Sequence, residues 1–288
     1  MTITKISRRS FLFLGGATLA QGLTLALPSY AQPVQIGKSQ INGIPFYQTI
    51  VDLKDPKTFI TIGLAKNANF ANTIQKTSGD EEFNKLVARY KATVVANGTF
   101  FAKNAQKTVM GNMIAGGKFL KYSPWENFGT TLGLRVANKP EMITARVEGK
   151  PEWDKHWFSI TCGPRLLRKG EVWLNPSIEG FKDPHVLGSG ARTAIGFTQD
   201  GTKLVLVNFE INLSLQQEAE AMKAIGCYEA MNLDGGASRA LASKNTILVP
   251  PGRSLTNVIV IYDGINPAPT ALQQAWLRFQ QGERSALK

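Results

Sequence analysis

Residues 214–236 read SLQQEAEAMKAIGCYEAMNLDGG, and their order decides the fold class. Ser214 and Gln217 stand at capping-box spacing, which predicts a helix running through about Ile225. The run Tyr228–Leu233 then predicts a short buried strand that stops at Asp234-Gly235-Gly236. A similar unit precedes it. Ser78 is a candidate N-cap, Asp80, Glu81 and Glu82 fill a first turn, and Phe83, Leu86, Val87 and Tyr90 form one helical stripe. Thr93-Val94-Val95-Ala96 follows as a strand and ends at Asn97-Gly98. Both units deliver a polar side chain and a glycine to the exit of a buried strand, a rigid place from which to present site residues.

Around these units the pattern is β. Strands are expected at Ile44–Leu53 and Phe59–Leu64, joined by a turn at Asp55-Pro56-Lys57, and at Thr130–Val136, Phe158–Leu167 and Asn257–Tyr262. Hairpins are expected at Met110–Leu120, turning on Gly116-Gly117, and at Arg192–Phe209, turning on Asp200-Gly201. Helices interleaved with hairpins predict an α+β fold: one domain with a mixed, largely antiparallel sheet packed against a few helices. Its expected extent is residues 32–264. Residues 265–288 form a C-terminal helix and tail, with Thr270 as cap and Leu272, Ala275, Trp276 and Phe279 on the docking face.

Residues 1–31 read as an export signal of the twin-arginine type. Ser7-Arg8-Arg9-Ser10-Phe11-Leu12 is followed by an apolar run to Leu27, and Ser29-Tyr30-Ala31 supplies small residues for cleavage before Gln32. The run holds Gly15, Gly16 and Gln21 and ends at Pro28, which suits a removable signal better than a membrane span. The expected location is periplasmic or secreted, with no stable membrane anchor after cleavage. Removing residues 1–31 from 288 leaves 257 and takes away Lys5, Arg8 and Arg9, lowering the formal charge from +12 to +9. That charge favours an anionic partner such as a phosphorylated glycan. Nucleic acid is not expected, since no dense Lys/Arg run or recognised motif occurs. Cys162 and Cys227 are either one disulfide or two buried thiols.

Exclusions narrow the chemistry. The only histidines are His156 and His185, too few for a histidine-rich metal site; no cofactor is expected, and a structural metal ion is left open. Gly117-Lys118 lacks the rest of a phosphate loop, and Ser238 lacks the Gly-x-Ser-x-Gly frame of a serine hydrolase. Carboxylates remain. Asp234 sits on a glycine turn with Ser238 close by, and Glu210 stands where the second hairpin strand is expected to end. Arg192 is the candidate phosphate grip, because a guanidinium binds phosphate bidentately. Asn97, Gly98 and Phe100 are candidates for sugar contact, with Gly235 and Gly236 opening backbone amides to a ligand.

Four segments together resemble the phosphodiester glycosidase family. They are Asn97-Gly98-Thr99-Phe100-Phe101, Cys162-Gly163-Pro164-Arg165-Leu166-Leu167, Ala191-Arg192-Thr193-Ala194-Ile195-Gly196, and Asn232-Leu233-Asp234-Gly235-Gly236-Ala237-Ser238, in that order over roughly residues 90–263. The resemblance implies hydrolysis at the anomeric carbon of a sugar-1-phosphodiester and adds Thr193 and Asn232 to the expected pocket. Asp234 would be nucleophile or base, Arg192 would hold the phosphate, and Glu210 would orient water or sugar. The family usually has glycine where Thr99 and Ala237 stand, and an Asp-Gly where Glu210-Ile211 stands. The competing expectation is a non-catalytic protein that binds anionic glycan during exopolysaccharide or envelope assembly.

Overall fold

The protein, described here by a computed structural model covering residues 32–284, is built from three antiparallel sheets. The expected signal at residues 1–31 lies outside the described residues. The first sheet runs Val34–Ile41, Ile44–Asp52, Lys203–Leu213, Gly190–Phe197, Glu229–Asn232, Arg165–Arg168, Glu171–Val172. The second runs Thr246–Val249, Leu241–Ser243, Val94–Asn97, Asn257–Tyr262, Phe59–Leu64. The third runs Lys118–Lys121, Met113–Ala115, Phe158–Cys162, Thr130–Leu134, Pro140–Thr144. With helices Phe83–Tyr90, Leu215–Ile225 and Thr270–Gln280, this is an α+β fold.

Strand alternation divides the first sheet's contacts. Ile195, Leu204, Leu206 and Met231 face the main core, shared with the other two sheets. Ala194, Val205, Val207 and Ala230 face the opposite way, onto Leu215, Ala219 and Met222 of the Leu215–Ile225 helix. That helix has the expected capping box: Ser214 Oγ accepts from Gln217 N, and Gln217 Oε1 accepts from Ser214 N. The Asp200-Gly201 turn is held by its own side chain, with Asp200 accepting from the Thr198 and Thr202 hydroxyls at 2.6 and 2.8 Å.

Four local expectations are corrected. Phe158–Leu167 is not one strand. Phe158–Cys162 belongs to the third sheet and Arg165–Arg168 to the first, and the chain crosses at Gly163-Pro164, where Gly163 has φ +129°. A Cβ at Gly163 would lie 3.0 Å from Glu179 Oε2 and from Phe181. Ser78 does not cap the Phe83–Tyr90 helix; its N–H and hydroxyl donate to Asn72 Oδ1. Glu81 lies before the helix and pairs with Arg89, so the first turn carries no acid. Thr270 is the first residue of its helix, with Pro269 at the cap position.

Both cysteines are free and buried. Among the described residues, no helix is long and apolar enough to cross a membrane. The Thr270–Gln280 helix lays Phe279 into the main core, where its ring packs 5.7 Å from Trp157, and Trp276 lies 4.9 Å from Trp157. Replacing Phe279 by Ala is expected to lower unfolding stability by about 3 kcal/mol in a urea titration, the usual cost of deleting a buried aromatic ring.

Candidate active site

The exits of two strands from different sheets meet here. Asn97 ends Val94–Asn97, and Asp234 follows Glu229–Asn232 by one residue beyond Leu233. Asn97 Nδ2 donates to the Asp234 carbonyl at 2.6 Å, and the Asp234 N–H donates to the Gly98 carbonyl at 3.2 Å. Asn97 Oδ1 accepts from Ala240 N at 3.0 Å. It also receives longer contacts from Thr193 Oγ1 and Asn208 Nδ2, both at 3.4 Å. Gly98 is required by its neighbour, because a Cβ there would lie 2.0 Å from Asn257 Oδ1. Asn257 uses that oxygen to accept from Thr99 N and its amide nitrogen to donate to Thr99 O. The turn is therefore locked from both sides.

On this frame the Asp234 side chain is only 7% exposed. Its Oδ2 accepts from Arg253 Nη2 at 3.0 Å. Arg253 Nε donates to Ser238 Oγ at 2.6 Å, and its guanidinium lies 4.3 Å from the Phe101 ring centre. Burial pushes the Asp234 carboxyl up to about 6, against the lowering effect of Ser238 and Arg253. Arg253 itself keeps 31% of its side chain in solvent. A buried acid thus touches an accessible cation. That arrangement offers a carboxylate at neutral pH together with a guanidinium able to take an incoming phosphate.

Gly235 and Gly236 make the turn possible. A Cβ on Gly235 would lie 2.3 Å from the Ala191 carbonyl, and Gly236 has φ +56°. Neither Thr99 nor Ala237, the two departures from the family's glycines, has positive φ, so neither is strained.

Arg253 is the residue that sequence reading missed. It follows Pro250-Pro251-Gly252, and Gly252 N donates to the Ala237 carbonyl at 2.8 Å, tying this loop to the Asp234 turn. A rigid Pro-Pro-Gly approach ahead of a buried strand was the available signal.

Two expected site residues lie elsewhere. Arg192 does not reach the Asp234 pocket. It sits on the sheet face toward the Leu215–Ile225 helix, buried, with Nε donating to Leu213 O at 3.1 Å and Nη2 to Val186 O at 3.1 Å. Glu218 Oε2 lies 3.7 Å away, and burial pushes that carboxyl up to about 8. Arg192 instead supports the turn from behind: Gly235 packs against its backbone. Glu210 is on the surface, 33% exposed and paired with Lys38 at 2.8 Å. Its strand continues to Leu213, so Glu210 lies within the strand and not at its exit.

The remaining expected residues divide into frame and surface. Asn97, Gly98 and Thr193 lie beneath the turn. Asn232 is also frame: its Nδ2 donates to the Gly163 carbonyl at 2.9 Å. Gly235 and Gly236 reach the surface, and Ser238 is buried against Arg253. The Cys162 thiol, fully buried, is pushed up to about 12 and is no nucleophile. Phe100 lines a cleft of about 450 Å³ with Phe101, Met110, Phe128, Phe181 and Val186. A second cleft, of about 480 Å³, lies along Glu82, Asn84, Pro250, Pro251, Arg253 and Ser254. Among the described residues there is no cluster of three or more His, Cys, Asp or Glu able to hold a metal ion.

A family model described as phosphodiester glycosidase matches residues 90–262. A search of curated proteins returns no match. Among solved structures, a hypothetical protein from Synechocystis aligns with a TM-score of 0.63 at 16% identity. The alignment covers 80% of this chain and 62% of that one, so this chain spans less than two thirds of its length. The catalytic domain of zebrafish N-acetylglucosamine-1-phosphodiester α-N-acetylglucosaminidase, auto-inhibited by its pro-peptide, aligns with a TM-score of 0.61 at 20% identity. Coverage there is 81% of this chain and 83% of the other. An exported protein from Burkholderia pseudomallei gives 0.54 and 11%, covering 76% and 74%. At these identities the likeness is one of fold.

The Gly235 contact gives a direct test of the frame. Gly235→Ala should displace the Asp234 turn from the Ala191 carbonyl and lower kcat/KM by about 100-fold, the scale of a 1 Å misplacement. Secondary structure, followed by circular dichroism, should be retained.

Proposed function

The chain belongs to the phosphodiester glycosidase family, and from that premise we propose that it hydrolyses a sugar-1-phosphodiester, such as an N-acetylglucosamine-1-phosphodiester, at the anomeric carbon. The observation that carries this reading is the buried Asp234 carboxylate, 3.0 Å from a guanidinium of Arg253 that remains open to solvent. Arg253 takes the place that sequence reading gave to Arg192. A phosphate oxygen binds Arg253, and the anomeric carbon faces Asp234.

Asp234 then acts as base or nucleophile. As base, it accepts a proton from water while the water oxygen bonds to the anomeric carbon. The bond from that carbon to the phosphate oxygen breaks, and its electron pair leaves on the phosphate. The products are the free sugar and a phosphate monoester. That leaving group is a stable anion, so it needs little protonation, and one carboxylate with one cation suffices. In this reading Glu210, paired with Lys38 at 2.8 Å, takes no part.

Export through the twin-arginine route to the periplasm, and action there on an exopolysaccharide or other envelope glycan, complete the proposal. The Ser7–Leu12 segment supports it. Protein recovered from the periplasm should begin at Gln32 by mass spectrometry, and Arg8→Lys with Arg9→Lys should hold it in the cytoplasm. Recovery of an uncut chain in the cytoplasm of wild-type cells would refute this part.

The catalytic assignment is tested with an α-N-acetylglucosamine-1-phosphodiester in ¹⁸O-labelled water. Label should enter the sugar; label in the phosphate would refute anomeric attack. Asp234→Ala should abolish turnover, and Arg253→Ala should lower kcat by about 100-fold or more. Glu210→Ala should change activity by less than about twofold. Saturable binding with no product would favour a glycan-binding protein.

The pH profile adds a second check. Asp234 works ionised, so kcat/KM should rise with pH through about 6. Arg253 lowers the Asp234 pKa, so Arg253→Ala should move that limb to higher pH. Stability carries the opposite sign. With its folded pKa raised above 3.8, Asp234 contributes most at low pH, and that contribution is lost as pH rises through about 6. The stability of Asp234→Asn relative to wild type should therefore increase between pH 4 and 7.

A further inference from the structure

Resting on the reading just given, we propose that the substrate's arm beyond the phosphate is an alkyl chain of a lipid-type alcohol, and that it lies in the phenylalanine cleft. The cleft begins at the phosphate site itself. Arg253 covers the Phe101 ring at 4.3 Å while its Nη2 reaches Asp234. From Phe101 the wall continues through Phe100, Met110, Phe128, Phe181 and Val186. Its volume of about 450 Å³ falls within the range of small-molecule sites, roughly 300–1,000 Å³.

The polar groups along this cleft argue against a second sugar. A sugar arm needs unengaged donors and acceptors that converge on its hydroxyls. Here the Lys121 ammonium is bonded to the Val109 carbonyl. Glu126 Oε1 accepts from Phe128 N at 3.2 Å, and Asp183 Oδ1 accepts from His185 N at 2.9 Å. Lys121, Glu126 and Asp183 thus each carry a bond from the protein, Lys182 at the rim is exposed, and the wall between them is mainly hydrocarbon. Across Arg253 the second cleft carries Glu82, Asn84 and Ser254; Glu82 pairs with Lys85 at 3.1 Å and Asn84 Oδ1 accepts from Lys85 N at 2.8 Å.

Two exposed apolar side chains are sequence neighbours of lining residues. Trp125, beside Glu126, is 83% exposed, and Leu187, beside Val186, is exposed as well.

The test is a series of α-N-acetylglucosamine-1-phosphodiesters with methyl, butyl, octyl and hexose arms, given to the purified protein. Each methylene should raise kcat/KM by about two- to fourfold until the cleft is filled. The octyl ester should exceed the methyl ester by at least about 30-fold, and the hexose ester should do no better than the methyl ester. Val186→Glu should cut the octyl-to-methyl ratio by about tenfold. Cleavage of the methyl ester with no gain along the series, or a preference for the hexose arm, would overturn the inference and leave the glycosidase reading standing. If no ester is cleaved, the glycosidase reading fails, and calorimetric binding of the same esters decides the cleft. Tighter binding with chain length supports the assignment, and equal binding overturns it.

Discussion

The Asp234 carboxylate is held out of water by the turn whose backbone is bonded to Asn97, and the features around it follow from that burial. A buried acid without partners would be neutral at physiological pH. Ser238 and Arg253 oppose that tendency and leave the group poised near 6, where it changes charge within the range in which proton transfer is useful. Reaching that balance requires the Asp234 turn to pass against the Ala191 carbonyl, which only Gly235 permits. It also requires Gly98 to lie against Asn257. The glycines fix where the chain runs, and the chain's course fixes the electrostatics.

Beneath the turn lies a polar layer built for support. Asn97, Thr193, Asn208 and Asn257 direct their side chains at backbone groups and at one another. Behind the first sheet, Arg192 ties the Val186 carbonyl to the Leu213 carbonyl, so the segment forming one side of the phenylalanine cleft is joined to the scaffold under Gly235. Residues with the chemistry to bind a ligand are here engaged in holding the ligand's site in shape, as second layers around reactive groups generally are.

Much of this was legible in sequence, and the exceptions have physical causes. Asp234, Gly235, Gly236 and Ser238 stand out in the sequence because they fall close together on one glycine turn. The Leu215–Ile225 helix was found because its cap is local. The face taken by Arg192 is not legible in the sequence, because a register shift between Ala191 and Thr193 hides the parity that decides it. Glu210 was misplaced because nothing in Phe209-Glu210-Ile211 shows that the strand runs on to Leu213. Arg253 was missed because its partner is 19 residues away and no spacing rule links them. The passage from one sheet to another falls at Gly163-Pro164, a breaker pair set between two short runs that each read as strand.

The separation of the site's pieces along the chain has a consequence for the order in which the molecule assembles. The bond from Asn97 to Asp234 spans 137 residues, that from Asn97 to Ala240 spans 143, and that from Asn257 to Thr99 spans 158. Contacts of this length form only after large loops have closed, which makes such topologies slow to fold. No segment of the chain carries the site's geometry alone. Asp234 acquires its environment only when strands from the first and second sheets have docked, so the perturbed carboxylate is a property of the completed topology. Recovery of activity after denaturation is then a measure of global refolding, and its time course is set by loop closure.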